Sequence, residues 1–240
     1  MPTALVTGAG IRVGRAIAEG LAAAGYDLAL HANRSTAPVE ALAEQLRKQG
    51  RQATVYQADL TQPDDVERLA DEVTRRHPVL DVVVHNAALF ERVPYAQVTR
   101  EQFRRMQALN LEAPYFLTQR LLPALERAPD PLIVHLTDIM GERGTKGFSH
   151  YSLTKAALLH LTKALATELA PKIRVNAISP GTVAFPDDYD DEARARVLRK
   201  IPLGRVGTPD DIARAVRFFA ESPFVTGQVI AVDGGRSALL

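Results

Sequence analysis

Short apolar runs and longer stretches with helical periodicity alternate along most of this chain. Runs rich in Val, Ile and Leu predict strands at residues 3–7, 27–31, 53–57, 81–85, 132–137, 174–178 and 228–232. Between nearly all of them, apolar residues recur at three- and four-residue spacing and predict helices, for example at residues 13–24, 39–49, 63–77, 100–125 and 209–219. This alternation favours an α/β fold with a seven-stranded, doubly wound, mostly parallel sheet and helices on both faces.

Length and composition indicate one globular domain over residues 1–240. The chain is 46% hydrophobic and 24% charged, which is enough apolar material for a full core. A net charge of +1 gives no electrostatic reason to expect binding to nucleic acid or to a membrane surface. The sequence has no cysteine, no long apolar stretch and no basic leader, so we expect a cytoplasmic protein without disulfides or a cysteine-ligated metal, and we expect no metal site.

A glycine-rich turn separates the first predicted strand from the first predicted helix. It reads TGAGIRVG over residues 7–14. Its glycines let the backbone approach a pyrophosphate, and the helix N-terminus supplies N–H donors. Glycine-rich turns also occur simply to start helices, but here the alternating pattern follows. The turn therefore predicts a dinucleotide site in a Rossmann-type domain.

The end of the second predicted strand reads HANRS over residues 31–35, without the acidic residue that usually binds a ribose 2′-hydroxyl. Arg34 and Ser35 instead offer a guanidinium and a hydroxyl that suit a 2′-phosphate, and Arg12 in the glycine turn can reach the same corner. We therefore expect NADPH as the cofactor. Asp59, after the third strand, either accepts a hydrogen bond from the adenine amine or shapes a turn.

Candidate catalytic residues lie between positions 134 and 159. Tyr151 and Lys155 are four residues apart and should project from one face of a helix. The pKa of a free tyrosine is about 10, and a nearby ammonium lowers it, so Lys155 is expected to activate Tyr151. The preceding run PLIVHLTD predicts a buried strand that brings Asp138 to the carboxyl edge of the sheet, where such folds bind ligands. Solvated surface side chains are the alternative interpretation.

Several ordered motifs resemble the short-chain dehydrogenase/reductase family over essentially the whole chain. They are the TGxxxRxG turn, DL at 59–60, HNAA at 85–88, Asn110 in the long helix, YxxxK at 151–155, RVNxIxPG at 174–181 and VDGG at 232–235. Arg12 replaces the usual second glycine, Asp138 replaces the usual catalytic serine, and His85 and Ala88 flank the Asn-Ala pair. The first two departures, with HxNRS at 31–35 and NAxxF at 86–90, resemble the pteridine reductase subgroup. The DxxxERG run at 138–144 is similar to bacterial dihydromonapterin reductases, which also reduce dihydrofolate.

The resemblance implies a role for each matching residue. A flat pterin would lie between the nicotinamide and Phe90, and Asp138 would orient Tyr151 to protonate a ring nitrogen, so that the substrate carries C=N and not C=O. Asn110 would support Lys155 through water at a helix kink. Residues 182–203, with the acidic run at 187–191, would form a substrate lid. The implied cofactor ligands are Gly8, Arg12, Val13, Gly14, His31, Asn33, Arg34, Ser35, Asp59, Leu60, Asn86, Ala87, Tyr151, Lys155, Pro180 and Gly181; the catalytic residues are Asp138, Tyr151 and Lys155, and Phe90, Asp138 and Tyr151 contact the substrate.

We therefore expect an NADPH-dependent reductase of pterins, in which Tyr151 gives a proton to a ring nitrogen. One alternative is a general carbonyl or 3-oxoacyl-thioester reductase of the same family, against which Asp138 and Phe90 argue. Another is a non-catalytic NADPH-binding sensor or scaffold, against which the intact Tyr151 and Lys155 argue. Apolar residues on more than one face of the helices at 100–125 and 152–170, together with the resemblance, favour a homotetramer.

Overall fold

A buried parallel sheet forms the centre of the protein. The structure is a computed structural model that describes residues 1–185 and 190–239. Its strands are β1 Thr3–Val6, β2 Asp27–Ala32, β3 Ala53–Gln57, β4 Val82–His85, β5 Leu132–Leu136, β6 Arg174–Pro180 and β7 Val229–Val232. They lie in the order β3-β2-β1-β4-β5-β6-β7, and every neighbouring pair is parallel. The α/β class and the seven-stranded sheet are confirmed, and the pairing is wholly parallel.

Helices cover both faces of the sheet. They are α1 Arg12–Ala23, α2 Ala37–Lys48, α3 Pro63–Arg76, α4 Arg100–Gln107, α5 Ala113–Leu125, α6 Ser149–Glu168, α7 Asp191–Leu198 and α8 Pro209–Ala220. Because strand side chains alternate, Val82 and Val84 face the core formed with α1, α2 and α8, whereas Val83 faces the core formed with α3, α5 and α6. Within the described residues, none of these helices is long and apolar enough to cross a bilayer.

The helix predicted at residues 100–125 is interrupted at Asn110, where the family resemblance implies a kink. A π-helical turn, Ala108–Glu112, joins α4 to α5 and carries the buried Asn110. The Oδ1 atom of Asn110 accepts a hydrogen bond from the amide of Leu89 at 2.8 Å, and its Nδ2 donates to the Leu89 carbonyl at 3.0 Å and to Thr154 Oγ1 at 3.2 Å. The extra residue in the turn thus directs an amide side chain into the space between the β4 loop and α6.

The carboxyl ends of β1, β4 and β5 define a cleft. The chain leaves β1 toward β2 and β3 on one side, and β4 continues the sheet on the other, so the topological switch point lies between β1 and β4. Thr7 and Asn86 directly follow β1 and β4, and Asp138 lies two residues beyond β5. The fold therefore places the glycine turn and the candidate catalytic residues at the same edge.

Candidate active site

The glycine turn is closed tightly upon itself and upon Asn86. A Cβ at Gly14 would lie 2.1 Å from the Gly8 carbonyl oxygen, so no larger residue fits there. Asn86 Nδ2 donates to the carbonyls of Thr7 at 2.9 Å and Gly8 at 3.0 Å, which fixes the turn. Arg12 opens α1 with φ 48°, a conformation that glycine usually supplies, and its side chain is exposed. The cradle that a pyrophosphate needs is therefore present in this chain.

The side chain of His31 supports this turn through both ring nitrogens, and its contact with a cofactor stays a prediction. Its Nδ1 accepts a hydrogen bond from the Gly8 amide at 3.1 Å, and its Nε2 lies 3.0 Å from the Ala58 carbonyl oxygen. Because an amide can only donate and a carbonyl can only accept, the ring is neutral with its proton on Nε2. Burial also lowers the pKa of His31, which likewise favours the neutral ring. Both ring nitrogens are therefore occupied by the backbone.

Asn33 and Arg34 line an open cavity of about 500 Å³ beyond the ends of β2 and β3. Arg34 and the following residue, Ser35, are exposed to solvent. Asp59 also lines the cavity, and its Oδ1 accepts hydrogen bonds from the amide and the hydroxyl of Thr61, at 3.0 and 2.7 Å. This geometry matches the turn-shaping interpretation of Asp59.

Four other predicted cofactor residues, Val13, Leu60, Ala87 and Gly181, differ in how closely they pack and how far they are buried. The Ala87 amide donates to Thr7 Oγ1 at 3.0 Å beside the turn. Gly181, after Pro180 at the end of β6, packs so closely that a Cβ would lie 2.7 Å from Asp233 Cα. Val13 is partly buried against the core, whereas the side chain of Leu60 is 4% exposed within the core. A contact from Leu60 to a cofactor would therefore have to come from its backbone.

Asp138, Tyr151 and Lys155 converge at the end of β5. Tyr151 Oη donates a hydrogen bond to Asp138 Oδ2 at 2.9 Å. Lys155 Nζ donates to the Leu136 carbonyl at 2.7 Å and lies 5.7 Å from the centroid of the Tyr151 ring. Asp138 Oδ1 accepts from the Met140 amide at 2.8 Å, which holds the carboxylate in place. The strand end and one face of α6 thus bring the three predicted groups together.

Burial sets the protonation of these three groups. It raises the pKa of Asp138 and lowers that of Lys155 to about 8. It also raises the pKa of Tyr151 well above its usual value, and the adjacent Asp138 carboxylate acts in the same direction. The net shift is therefore opposite to the one expected from Lys155 alone, because desolvation and the neighbouring carboxylate dominate. Tyr151 stays protonated at neutral pH and can serve as a proton donor.

An aromatic wall formed by Phe90, Phe148 and Tyr151 flanks the proton donor. Phe90 is 50% exposed and lies edge-on to Tyr151, with ring centroids 4.9 Å apart and an interplanar angle of 85°. Phe148 is 6% exposed, stacks on Phe90, and contacts Tyr151 edge-on with ring centroids 6.3 Å apart. Sequence reasoning missed Phe148, which lies directly before the first residue of α6 and three residues before Tyr151.

The segment predicted as a lid is partly described. Residues 191–198 form α7, and Asp190 caps this helix by accepting a hydrogen bond from the Ala193 amide at 2.7 Å. Residues 187–189 of the acidic run lie outside the described residues. Arg236 Nη1 donates to Thr182 Oγ1 at 2.8 Å, which joins the beginning of this segment to the chain beyond β7. Closure over a substrate stays a prediction.

Comparisons with known proteins find relatives over nearly the whole chain. The family model described as enoyl-(acyl carrier protein) reductase matches residues 8–237. The 3-oxoacyl-[acyl-carrier-protein] reductase FabG of Staphylococcus aureus is 34% identical over 238 residues, which cover 97% of each chain. The uncharacterized oxidoreductase YmfI of Bacillus subtilis is 35% identical over 239 residues, covering 97% of this chain and 98% of that relative.

Two solved structures are also similar over nearly their whole length. FolM alternative dihydrofolate reductase 1 from Brucella suis, in complex with NADP, has a TM-score of 0.92 and 36% identity, covering 99% of this chain and 95% of that one. A blue fluorescent protein from a metagenomic library, in complex with NADPH, has a TM-score of 0.91 and 31% identity, covering 98% and 97%.

Proposed function

The chain belongs to the short-chain dehydrogenase/reductase family, and within it we propose that this protein is an NADPH-dependent reductase of pterins. The observation that carries the proposal is the 2.9 Å hydrogen bond from Tyr151 Oη to Asp138 Oδ2. In most of the family a serine hydroxyl accompanies the tyrosine and can hold a carbonyl oxygen. A carboxylate cannot donate to such an oxygen unless it is protonated, so this pair suits a different acceptor.

NADP(H) is the cofactor that fits the residues around the cleft. Gly8 and Gly14 leave room for a pyrophosphate at the N-terminus of α1. Arg34 is exposed at the cavity beyond β2, where a 2′-phosphate would gain a charge-assisted hydrogen bond. The two similar solved structures contain NADPH and NADP, which supports the same choice. When bound, NADPH supplies the hydride.

The chain's own residues supply and orient the proton. Tyr151 holds it on Oη, because burial keeps the phenol protonated. Asp138 Oδ2 accepts the hydrogen bond of this hydroxyl, which must turn toward the substrate nitrogen to deliver the proton. As a C=N bond receives a hydride on carbon, the nitrogen gains an electron pair and takes the proton from Tyr151. The Lys155 ammonium stabilises the phenolate that this transfer leaves.

The aromatic wall supports a flat substrate. The exposed side of Phe90 offers a face on which a conjugated bicyclic ring can stack beside the Tyr151 hydroxyl. Such stacking costs little side-chain entropy, because Phe148 already stacks on Phe90. The similarity to a FolM alternative dihydrofolate reductase at 36% identity supports the same substrate class.

A 3-oxoacyl-thioester reductase is the second candidate. It is favoured by the 34% identity to the Staphylococcus aureus reductase over 97% of both chains. In that reaction Tyr151 and Lys155 keep the same roles, but the acceptor is a ketone oxygen. Asp138 then has no evident function, since a carboxylate near a developing alkoxide is unfavourable.

The decisive assay follows NADPH oxidation by purified protein with three substrates in parallel: a dihydropterin, dihydrofolate and an acetoacetyl thioester. We expect kcat/KM to be largest for the dihydropterin or dihydrofolate. The Tyr151→Phe variant is the matched control, and its kcat should fall by about 10²–10⁴ while NADPH binding is retained. Efficient turnover of the thioester without turnover of either reduced pterin would replace the proposal with the second candidate.

A further inference from the structure

Two buried histidines lie side by side beneath the candidate catalytic residues. His85 ends β4 and His135 lies opposite it in β5, with ring centroids 5.3 Å apart. Both are almost fully inaccessible, at 3% and 0% exposure. Nε2 of His85 is 2.8 Å from Thr118 Oγ1 on α5, and Nδ1 of His135 is 2.9 Å from Thr162 Oγ1 on α6. Each histidine is therefore tied to a different helix.

The hydrogen bonds of Thr162 define the tautomer of His135. The Thr162 hydroxyl donates its proton to the Leu158 carbonyl at 2.9 Å, so Oγ1 must accept from Nδ1–H of His135. In the neutral ring, Nε2 then carries a lone pair and can only accept. This Nε2 is buried and has no hydrogen-bond partner among the described residues. A buried acceptor of this kind calls for a donor.

Lys155 has hydrogen-bond donors left over, and its ammonium binds the residue directly after His135. An ammonium has three N–H groups, and within the described residues Nζ makes one hydrogen bond, to the carbonyl of Leu136, the residue directly after His135. The positive charge of Lys155 contributes to lowering the pKa of His135, after burial and the neighbouring His85. The pKa of His85 is lowered to about 3 by burial alone. Lys155 therefore acts on one histidine of the pair and not on the other.

We propose that His135 is a positioning residue for Lys155, whose ammonium donates through one buried water molecule to Nε2 of His135. This arrangement satisfies the buried acceptor and one of the free N–H groups together. It holds the ammonium at the Tyr151 ring and stabilises the positive charge of Lys155 in a buried environment. The other ionisable groups that face Lys155 are Asp138, whose carboxylate raises its pKa, and the protonated Tyr151. The proposal rests on the role proposed for Lys155 and does not depend on the substrate.

The pKa of Lys155 can be measured without any turnover. The chain has six lysines, so selective ¹³Cε labelling gives few NMR signals, and Lys155 should titrate at about 8. In His135→Leu the water loses its acceptor, the ammonium is less well solvated, and the pKa of Lys155 should fall by about one unit, a tenfold change in proton affinity. His135→Asn keeps an acceptor oxygen and should restore most of the difference. His85→Asn is the matched control and should leave the titration unchanged.

Activity provides an independent readout. With whichever substrate is reduced, the alkaline limb of the kcat/KM profile should move to lower pH in His135→Leu and return in His135→Asn, a pattern that a purely structural role would not produce. If His135→Leu does not fold, the ¹⁵N resonance of His135 Nε2 in the unmodified protein decides: a hydrogen-bonded position supports the proposal, and a free imine position overturns it. An unchanged Lys155 titration in His135→Leu, or an equal decrease in His135→Asn, also overturns it. Absence of pterin reduction would affect the proposed function only.

Discussion

Phe90 stacks nearly parallel on Phe148, with ring centroids 4.8 Å apart and an interplanar angle of 21°. Phe90 lies in the loop after β4, and Phe148 directly precedes α6. They meet because β4 ends and α6 begins at the cleft. Phe148 is buried and Phe90 is half exposed. The pair thus forms a fixed support with one open aromatic face, the kind of surface that a planar heterocycle can contact.

Phe90→Ala should therefore weaken substrate binding more than it slows chemistry. The stacking term alone is about 0.5–1.5 kcal/mol, so KM for a dihydropterin should rise by roughly two- to tenfold or more, with kcat much less affected. KM for NADPH serves as the internal control and should not change. A Phe90→Ala enzyme with unaltered KM for every reduced pterin would show that this ring does not contact the substrate.

Asp138→Ser should change the preference between C=N and C=O acceptors. Serine cannot accept the Tyr151 hydrogen bond as an anion, but it can donate to a ketone oxygen. We expect kcat/KM for dihydropterin to fall and the ratio of thioester to dihydropterin turnover to rise by about tenfold or more, the usual effect of one positioned group. Asp138→Asn keeps the shape and is the matched control for charge. Equal losses on both substrate classes would count against a role in substrate selection.

The lowered pKa of Lys155 predicts that alkaline pH decreases activity but increases stability. Activity should decline as pH rises through about 8, where the buried ammonium loses its proton. Its pKa is lower in the folded state than in the unfolded state, so between these two values the unfolded chain binds more protons and folding becomes more favourable as pH rises. At pH 7, where the lysine is protonated in both states, its lowered pKa corresponds to a loss of about 3 kcal/mol of stability.

Lys155→Met should therefore be inactive yet at least as stable as the unmodified protein at neutral pH. Its advantage in free energy of unfolding should diminish toward pH 10, because the wild-type lysine is then neutral in the folded protein. Denaturant titrations of both proteins from pH 6 to 10 measure this difference. A difference that is constant over the range would mean that Lys155 titrates outside it.

Much of the fold could be predicted because buried parallel strands are continuous apolar runs, and β3 was placed with its exact observed bounds, 53–57. The site could be predicted where its residues share a local spacing, as Tyr151 and Lys155 do. The hydrophobic pattern did not show the π-helical turn at Asn110, because one extra residue in a helix leaves no periodic signal, and only the family resemblance implied a kink there. The role of His31 depends on the Ala58 carbonyl, 27 residues away, and the raised pKa of Tyr151 depends on burial.

Arg34 should determine the choice of cofactor. It lines the cavity beyond β2 and is exposed, so Arg34→Asp should remove a charge-assisted contact and introduce repulsion toward a 2′-phosphate. A contact of this kind contributes about 1.5–3 kcal/mol, so the preference for NADPH over NADH should fall by one to two decades. Arg68 lines the same cavity but already binds Asp65 and Glu72, and Arg68→Gln is the matched control. Equal kcat/KM for NADPH and NADH in the unmodified protein would contradict the prediction.

Exposed aromatic residues on α5 predict self-association. Tyr115 and Phe116 are 45% and 51% exposed and contact each other edge-on at 5.1 Å, and Leu153 on α6 is 56% exposed. Burying such side chains in a symmetric interface would remove a substantial apolar area from water, and closed symmetry, as in a tetramer, is the common result. Phe116→Glu should therefore reduce the mass measured by light scattering, whereas Val79→Glu, at an exposed site between α3 and β4, should not. An unmodified protein that is only monomeric at micromolar concentration would exclude this assembly.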